Sequence, residues 1–342
     1  MLLKQLTNLN GAAGDEGLVR DFICKQIKPY VDNITIDNMG NVIVLKKGNS
    51  SAKKVMLSAH MDEVALMVTS ICDDGTLKFR EVGGIDPRIL LGLKVLVGES
   101  QINGVIGLKP IHMQTPKERK NPIEMKQMYI DIGTTSKQET SELVSLGDYV
   151  YFNSDYVEFG NNRIKAKALD DRVGCAILME VLKKKYDFDL YACFTVQEEV
   201  GTRGSIITSN KISPDIALVI EATTCSDVHN VEPKDYSTVL GDGVALTIMD
   251  RTAIVDKGLL KTLEDIAQQN GVKYQYKKTI SGGNDAGSIQ RSKKGIRVAS
   301  ISVPCRYIHS PVCVMSKNDY NETLKLTKLF LKNIGEGAIS YA

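Results

Sequence analysis

DDRVGCAILMEVLKKKY (170–186), DLYACFTV (189–196) and DIALVI (215–220) decide the fold. In the first, apolar residues recur at helical spacing; the other two are short apolar runs bounded by turn residues, as in buried strands. A Gly-punctuated turn and a short helix separate the two strands, and this alternation predicts an α/β layer. Upstream, KKVMLSAH (53–60) reads as another buried strand ending at His60. VDNITIDNMGNVIVLKKG (31–48) alternates around Met39-Gly40-Asn41 like a hairpin, and LVRDFICKQIKPYV (18–31) carries Leu18, Val19, Phe22, Ile23 and Ile27 at helical spacing. The chain is therefore expected to open on that amphipathic helix. Downstream, TAIVDKGLLKTLEDIAQQNG (252–271) predicts a helix, IRVASISV (296–303) a strand, and NDYNETLKLTKLFLKNIGEG (318–337) a closing amphipathic helix.

Between residues 68 and 163 the character changes. GTLKFREVGG (75–84), LKVLVGESQINGVIGLKP (93–110), QMYIDIG (127–133) and DYVYFNSDYVEFG (148–160) are short alternating runs divided by Gly, Asn, Asp and Pro, so this stretch is expected to be all-β. The expected architecture is a mixed-sheet α/β domain built from residues 1–67 and 164–342, interrupted by a β-rich domain over 68–163. His60 precedes the insertion and Asp170 follows it, so the inserted domain should overhang the space between them.

A length of 342 residues favours a second domain or an insertion over one core. Hydrophobic residues at 43% and charged residues at 25% are ordinary for a globular chain and exclude disorder as the base case. Lys and Arg number 43 against 41 Asp and Glu, and a net charge of +2 gives no footprint for nucleic acid or an anionic membrane. A small-molecule or peptide partner fits better. No stretch approaches the roughly 18 apolar residues of a membrane span, and the N-terminus lacks a signal-peptide pattern. The seven cysteines are scattered without CxxC spacing, which predicts core thiols in a reducing, cytoplasmic setting.

The candidate functional residues stand at the ends of the apolar runs: His60 and Asp62 in AHMDE, Asp170 in ALDDR, Glu198 and Glu199 in QEEVG, Glu221 in VIEAT, His309 in YIHSP. Carboxyl ends of strands in open α/β sheets form the crevice that receives ligands, so residues distant in sequence should converge there. Imidazoles and carboxylates together suit divalent cations. Formal charge favours two ions: Asp170, Glu199 and Glu221 cancel three of four positive charges, and a bridging hydroxide cancels the last. His60 and Asp62 face the same way in an extended segment, which lets the carboxylate brace the imidazole. Glu198 and Glu199, as neighbours, face opposite ways, one toward metal and one toward the proton. Taken alone, His60 and His309 read equally well as ordinary histidines, though Asp62 beside His60 favours ligation; by spacing Asp170-Asp171 reads more readily as a helix cap, and Glu198-Glu199, a pairing common on solvated surfaces, follows a strand too apolar for that reading. His112 and His229 read as solvated, and Asp171 as structural, pairing with Arg172.

AHMDE, ALDDR, QEEVGTRG, EATTCSDV, SGGNDAGSI and YIHSP, in that order, resemble the signature segments of the M42 family of metalloaminopeptidases, which includes the glutamyl and deblocking aminopeptidases and the tetrahedral TET peptidases. The resemblance spans nearly the whole chain. It implies His60 and Glu221 on one ion, Glu199 and His309 on the other, Asp170 bridging, Glu198 as general base and Asp62 behind His60. It further implies two divalent ions per subunit, Zn²⁺ first, with Co²⁺ or Mn²⁺ compatible, a bridging hydroxide as nucleophile, and removal of N-terminal residues from peptides. The insertion would be the family's PDZ-like β-barrel, and the chain a dimer-based homo-oligomer extending to a tetrahedral dodecamer. Gly282, Gly283 and Asp285 would form a substrate loop. Two positions depart from the pattern: many relatives have Asp at Glu221 and Thr at Asn284. The alternatives at this stage are a related deacylase or dipeptidase, an endoglucanase, and a non-catalytic assembly subunit.

Overall fold

A computed structural model describes residues 2–335, apart from the side chains of residues 50–52. Among these residues the strands form an eleven-stranded mixed sheet and a closed six-stranded barrel. The centre of the mixed sheet is parallel, in the order Phe188–Thr195, Ser50–His60, Ile216–Thr224 and Arg297–Arg306. The hairpin Asn33–Ile36 and Val42–Lys46 extends one edge antiparallel, and Cys313–Ser316, Arg163–Ala166 and Val157–Phe159 extend the other. The three central strands that read as apolar runs are buried on both faces, as parallel strands require. Their alternation sorts the side chains: Val55, Leu57, Ala192, Phe194, Leu218 and Ile220 enter the large core, while Met56, Cys193, Ala217 and Val219 enter a smaller core on the opposite face.

The helix Leu169–Val181 closes the larger core. Every residue in it except Glu180 is buried, because it lies between the sheet and the helices Leu2–Asn8, Gly17–Ile27 and Lys317–Gly335. On the other face Arg203–Ile212 and Asp285–Gln290 pack with Ile212, Ala286 and Ile289 turned inward.

The barrel runs Ala65–Ile71, Leu77–Val82, Met128–Asp131, Ile102–Leu108, Lys94–Val97, Tyr149–Phe152 and back to the first strand. It has its own core, which includes Leu66, Val68, Phe79, Val95, Ile130 and Val150. Closing the sheet removes free edges, a solution open to short alternating strands with tight Gly turns.

Several expectations change. The chain opens on Leu2–Asn8, not on the helix at residue 17, because Leu3 and Leu6 bury against Leu169–Val181 in too short a stretch for a periodicity to stand out. The 68–163 stretch is not purely β: Pro116–Lys120 and Lys137–Ser141 are short helices, each begun by a capping hydroxyl, Thr115 and Ser136. Val157–Phe159 pairs with Arg163–Ala166 in the mixed sheet and not in the barrel. Residues 336 and 337 of the expected closing segment lie outside the described residues. No helix among those described is long and apolar enough to cross a membrane.

Candidate metal centre

The parallel strands end on one edge, and the predicted side chains meet there. His60 is the last residue of its strand, in register with Thr195. Three residues after the neighbouring strand, the turn carries Glu198 and Glu199 into the same space. Glu221 was expected at a strand end but lies within Ile216–Thr224, where the strand's own alternation aims it. His309 stands in the loop after Arg297–Arg306 with φ of 58°, a left-handed turn that brings its ring back over the sheet edge.

Asp170 holds the centre. Its Oδ1 lies 3.3 Å from His60 Nε2, and its Oδ2 lies 3.4 Å from His309 Nε2. One carboxylate thus faces two imidazoles that share no segment of chain. Around His60 Nε2 are also Glu221 Oε2 at 3.6 Å and Glu198 Oε2 at 4.0 Å, and around His309 Nε2 is Glu199 Oε2 at 3.4 Å. Ligand atoms of His60, Asp170 and Glu199 lie within 4.8 Å of one another, as do those of His60, Asp171 and Glu221. Glu221 Oε1 is buried without a hydrogen-bond partner. A carboxylate oxygen stranded in this way among imidazoles and other carboxylates fits a cation, which would satisfy it.

The electrostatics point the same way. Burial pushes the carboxyls of Glu198 and Glu221 well above their ordinary range, and that of Glu199 to about 7. Burial opposes charge on His60, yet the carboxylates of Glu221, Asp170 and Asp62 raise it well above its usual value. Burial likewise works against His309, which the Asp170 hydrogen bond and the Glu199 charge hold at about 9. Asp170 is buried too, but hydrogen bonds from His309 and His60 keep it well below the usual carboxylate range. Alone, the protein settles this cluster by protonating imidazoles and carboxylates that are largely buried. A divalent cation settles it without protons.

The supporting contacts differ in detail from expectation. His60 Nδ1 lies 3.0 Å from the Asp62 backbone carbonyl and 3.5 Å from its carboxylate, so the nearer brace is the peptide oxygen. The Asp62 carboxylate instead accepts the backbone N–H groups of Glu198 and Glu199, both at 3.0 Å. It therefore fixes the turn that carries both glutamates. Asp170 and Asp171 both depart from helical dihedrals and are joined by a cis peptide. Asp171 caps the helix that follows, accepting from the Gly174 N–H at 3.0 Å and from the His60 N–H at 3.2 Å. Arg172 does not pair with Asp171; its guanidinium is fully buried and donates to the carbonyls of Met61, Leu6, Leu9 and Gly11.

A cavity of about 700 Å³ opens on the cluster, lined by His60, Asp170, Glu198, Glu199, Glu221 and His309. Gly282 and Gly283 line it as well. Asp285 does not: it is fully buried beneath the sheet edge, where the Thr195 and Ser58 hydroxyls donate to it at 2.6 and 3.3 Å. The expectation of substrate contact fails for Asp285 because it begins the helix Asp285–Gln290, whose inner face is core. His112 and His229 are exposed and do not line the cavity. Gly84, from the barrel side, lines the cavity and forms a backbone hydrogen bond with His309. Sequence reasoning missed it, since nothing local marks a glycine that a second folding unit lays against a loop more than two hundred residues away.

The sequence model of the family described as M42 glutamyl aminopeptidase matches residues 40–326. The chain belongs to this family. A putative aminopeptidase of Acetivibrio thermocellus is 39% identical over 95% of this chain and 96% of its own. The lysyl aminopeptidase of Pyrococcus furiosus is 29% identical over 97% of this chain and 96% of its own. Among solved structures, the TET1 peptidase of Pyrococcus horikoshii, described as assembling into a tetrahedron or a large octahedral shell, superposes with a TM-score of 0.85 at 34% identity, covering 96% of this chain and 98% of that one. The family is one of aminopeptidases, which are hydrolases.

Proposed function

We propose that this M42 chain is a two-metal aminopeptidase in which His60 and Glu221 hold one divalent ion, Glu199 and His309 hold the other, and Asp170 bridges them. The observation that carries the reading is the division of Asp170, one oxygen toward each imidazole, with Glu221 on one side and Glu199 on the other. Mixed imidazole and carboxylate ligands suit Zn²⁺, and Co²⁺ or Mn²⁺ are compatible. Such ions, when bound, supply a water acidified toward hydroxide near neutral pH and a Lewis acid for the scissile carbonyl.

The remaining work falls to side chains of this chain. Glu198 lies on the His60 side with no assigned ligand role, its Oε2 4.0 Å from His60 Nε2, and burial raises its carboxyl's affinity for protons. It takes the proton of the attacking water and later delivers it to the leaving amine. Asp62, by holding the amides of Glu198 and Glu199, keeps ligand and base in fixed relation. The ions, when bound, would also hold the substrate's free α-amino group, which restricts cleavage to the first residue. Gly282 and Gly283 border the space for that residue's side chain.

We assign to the barrel the joining of copies of the chain into a dimer-based homo-oligomer up to a tetrahedral dodecamer, a reading supported by the relatives described as a tetrahedral assembly and as a dodecamer. The seven free thiols, five of them buried, suit a reducing cytoplasm. The test of function is a panel of aminoacyl anilides against N-acyl amino acids, with Zn²⁺, Co²⁺ or Mn²⁺ supplied. Cleavage of the anilides supports an aminopeptidase; cleavage of the N-acyl compounds alone makes the chain a deacylase on the same metal cluster.

A further inference from the structure

The turn that carries Glu198 and Glu199 is held by side-chain oxygens from three other segments of the chain. The N–H of Val196 donates to Asn41 Oδ1 at 3.0 Å, that of Gln197 to Glu16 Oε1 at 3.0 Å, and those of Glu198 and Glu199 to the two oxygens of Asp62. Backbone N–H groups bond mostly to other backbone groups, so a run of consecutive amides each met by a side chain is a built support. Asn41 and Asp62 flank the sheet edge directly. Glu16 comes from the N-terminal loop and does not line the cavity.

Local structure does not account for where Glu16 points. It occupies the cap position of the helix Gly17–Ile27, yet its carboxylate makes no bond to that helix. The side chain is buried and turned the other way, and its Oε1 also accepts the Gly14 N–H at 2.9 Å. The loop beneath it is clamped from two sides. The barrel's Tyr149 hydroxyl donates to the Ala13 carbonyl at 2.9 Å and its Tyr151 hydroxyl to the Asp15 carboxylate, while Gly11 exchanges hydrogen bonds with Glu63, donating to Oε1 at 3.2 Å and accepting the Glu63 N–H at 2.9 Å. Gln197 needs a fixed partner of this kind. Its φ of 55° lies in the left-handed region, which a residue with a side chain holds only where the surroundings enforce it. Asp62 grips the two amides beyond Gln197 from one carboxylate, and Glu16 stops the turn from swinging about that grip.

We propose that Glu16 is a positioning residue for the general base: by accepting the Gln197 amide it fixes the turn from which Glu198 reaches the cluster. This rests on the two-metal aminopeptidase reading and adds to it a residue outside the cavity. Glu198 ends in a flexible side chain, so the place of its carboxyl follows the backbone of the turn, and a displacement of about 1 Å at reacting groups is enough to slow turnover strongly. Glu16 acts here through reach. An amide oxygen at the same point accepts the Gln197 N–H as a carboxylate does, whereas a side chain one methylene shorter falls away from it.

The experiment measures kcat and KM on the best cleaved of the glutamyl, leucyl and lysyl anilides, with zinc content by elemental analysis, for Zn²⁺-loaded wild type, Glu16→Gln, Glu16→Asp and Glu16→Met. Glu16→Asp is measured again in a Glu198→Gln background. Glu16→Gln should keep kcat within about 3-fold of wild type. Glu16→Asp and Glu16→Met should each lose about 10- to 100-fold in kcat while KM and zinc content stay near wild type. In the Glu198→Gln background Glu16→Asp should cost nothing further, because the group it positions is already gone. Where Glu16→Met fails to fold, the comparison of Gln with Asp decides alone. Activity kept by Asp and lost by Gln makes charge the operative property and overturns the proposal. Equal losses in both backgrounds, or a loss that follows zinc content, mark a purely structural residue and overturn it as well, leaving aminopeptidase activity standing. Wild type that cleaves none of the three anilides overturns the aminopeptidase reading itself, and this proposal with it.

Discussion

A carboxylate in this protein does what its neighbours require of it, and the five buried acids around His60 show how far neighbours can separate the same functional group. Asp170 faces two imidazoles, Asp171 caps a helix, Asp62 holds two amides, Glu221 keeps an unpaired oxygen, and Glu198 stands beside the cluster. Replacing Glu198 with Gln keeps shape and removes basicity. The variant should retain its metal by elemental analysis and lose about 10²- to 10⁴-fold in kcat; near wild-type turnover would remove Glu198 from the role of base. His309→Ala should lower metal content selectively at the Glu199 side, and an unchanged metal-to-protein ratio would contradict its ligand role. At this scale much was legible. Histidine and acid at the ends of apolar runs named the cluster, because the buried edge of a parallel sheet is an expensive place to leave such groups without purpose. Residue type alone could not tell that Asp285 turns inward to Thr195, or that the peptide oxygen of Asp62 lies nearer His60 than its carboxylate does.

The helix Leu169–Val181 does more than fill the core. Its irregular opening holds the two aspartates, and its first regular turn carries Arg172, whose guanidinium ties Met61, between His60 and Asp62, to the end of the helix Leu2–Asn8. The opening helix, invisible as a periodic pattern, is thereby part of the scaffold of the metal cluster. Arg172→Met should leave several buried carbonyls without donors and Glu63 with one cation fewer. A destabilisation of about 3–5 kcal/mol in urea unfolding is expected, together with weaker metal retention. If stability and metal content both stay at wild-type values, Arg172 does not position the ligand segment. Strands were the most readable elements, since apolar runs bounded by turns leave few alternatives. The short helices of the 110–141 region were not, because Pro116–Lys120 and Lys137–Ser141 depend on caps and neighbours instead of a long apolar face.

At the scale of the whole molecule, two cores with separate hydrophobic interiors meet over the cluster, and Gly84 reaches from the barrel side to His309. Cations at that junction should stabilise the fold, so chelation should lower the melting temperature. The effect has a direction in pH. Burial raises the metal-free Glu199 carboxyl to about 7, so its contribution to stability is complete below its ordinary range near 4.5 and is lost as pH rises through 7. A bound cation removes that loss. The melting-temperature difference between metal-loaded and chelated protein should therefore be larger at pH 8 than at pH 6, and a difference that shrinks across this interval would count against ligation by Glu199. The plan of the molecule was readable from the change to short β runs after residue 68, whereas the return of Val157–Phe159 to the mixed sheet was not, because its alternation suits either partner. The most direct test of the central claim is anomalous scattering from crystals of the Zn²⁺-loaded protein. Two peaks should flank Asp170 roughly 3.5–4 Å apart, one beside His60 and Glu221 and the other beside Glu199 and His309; a single peak, or peaks away from Asp170, would contradict the account.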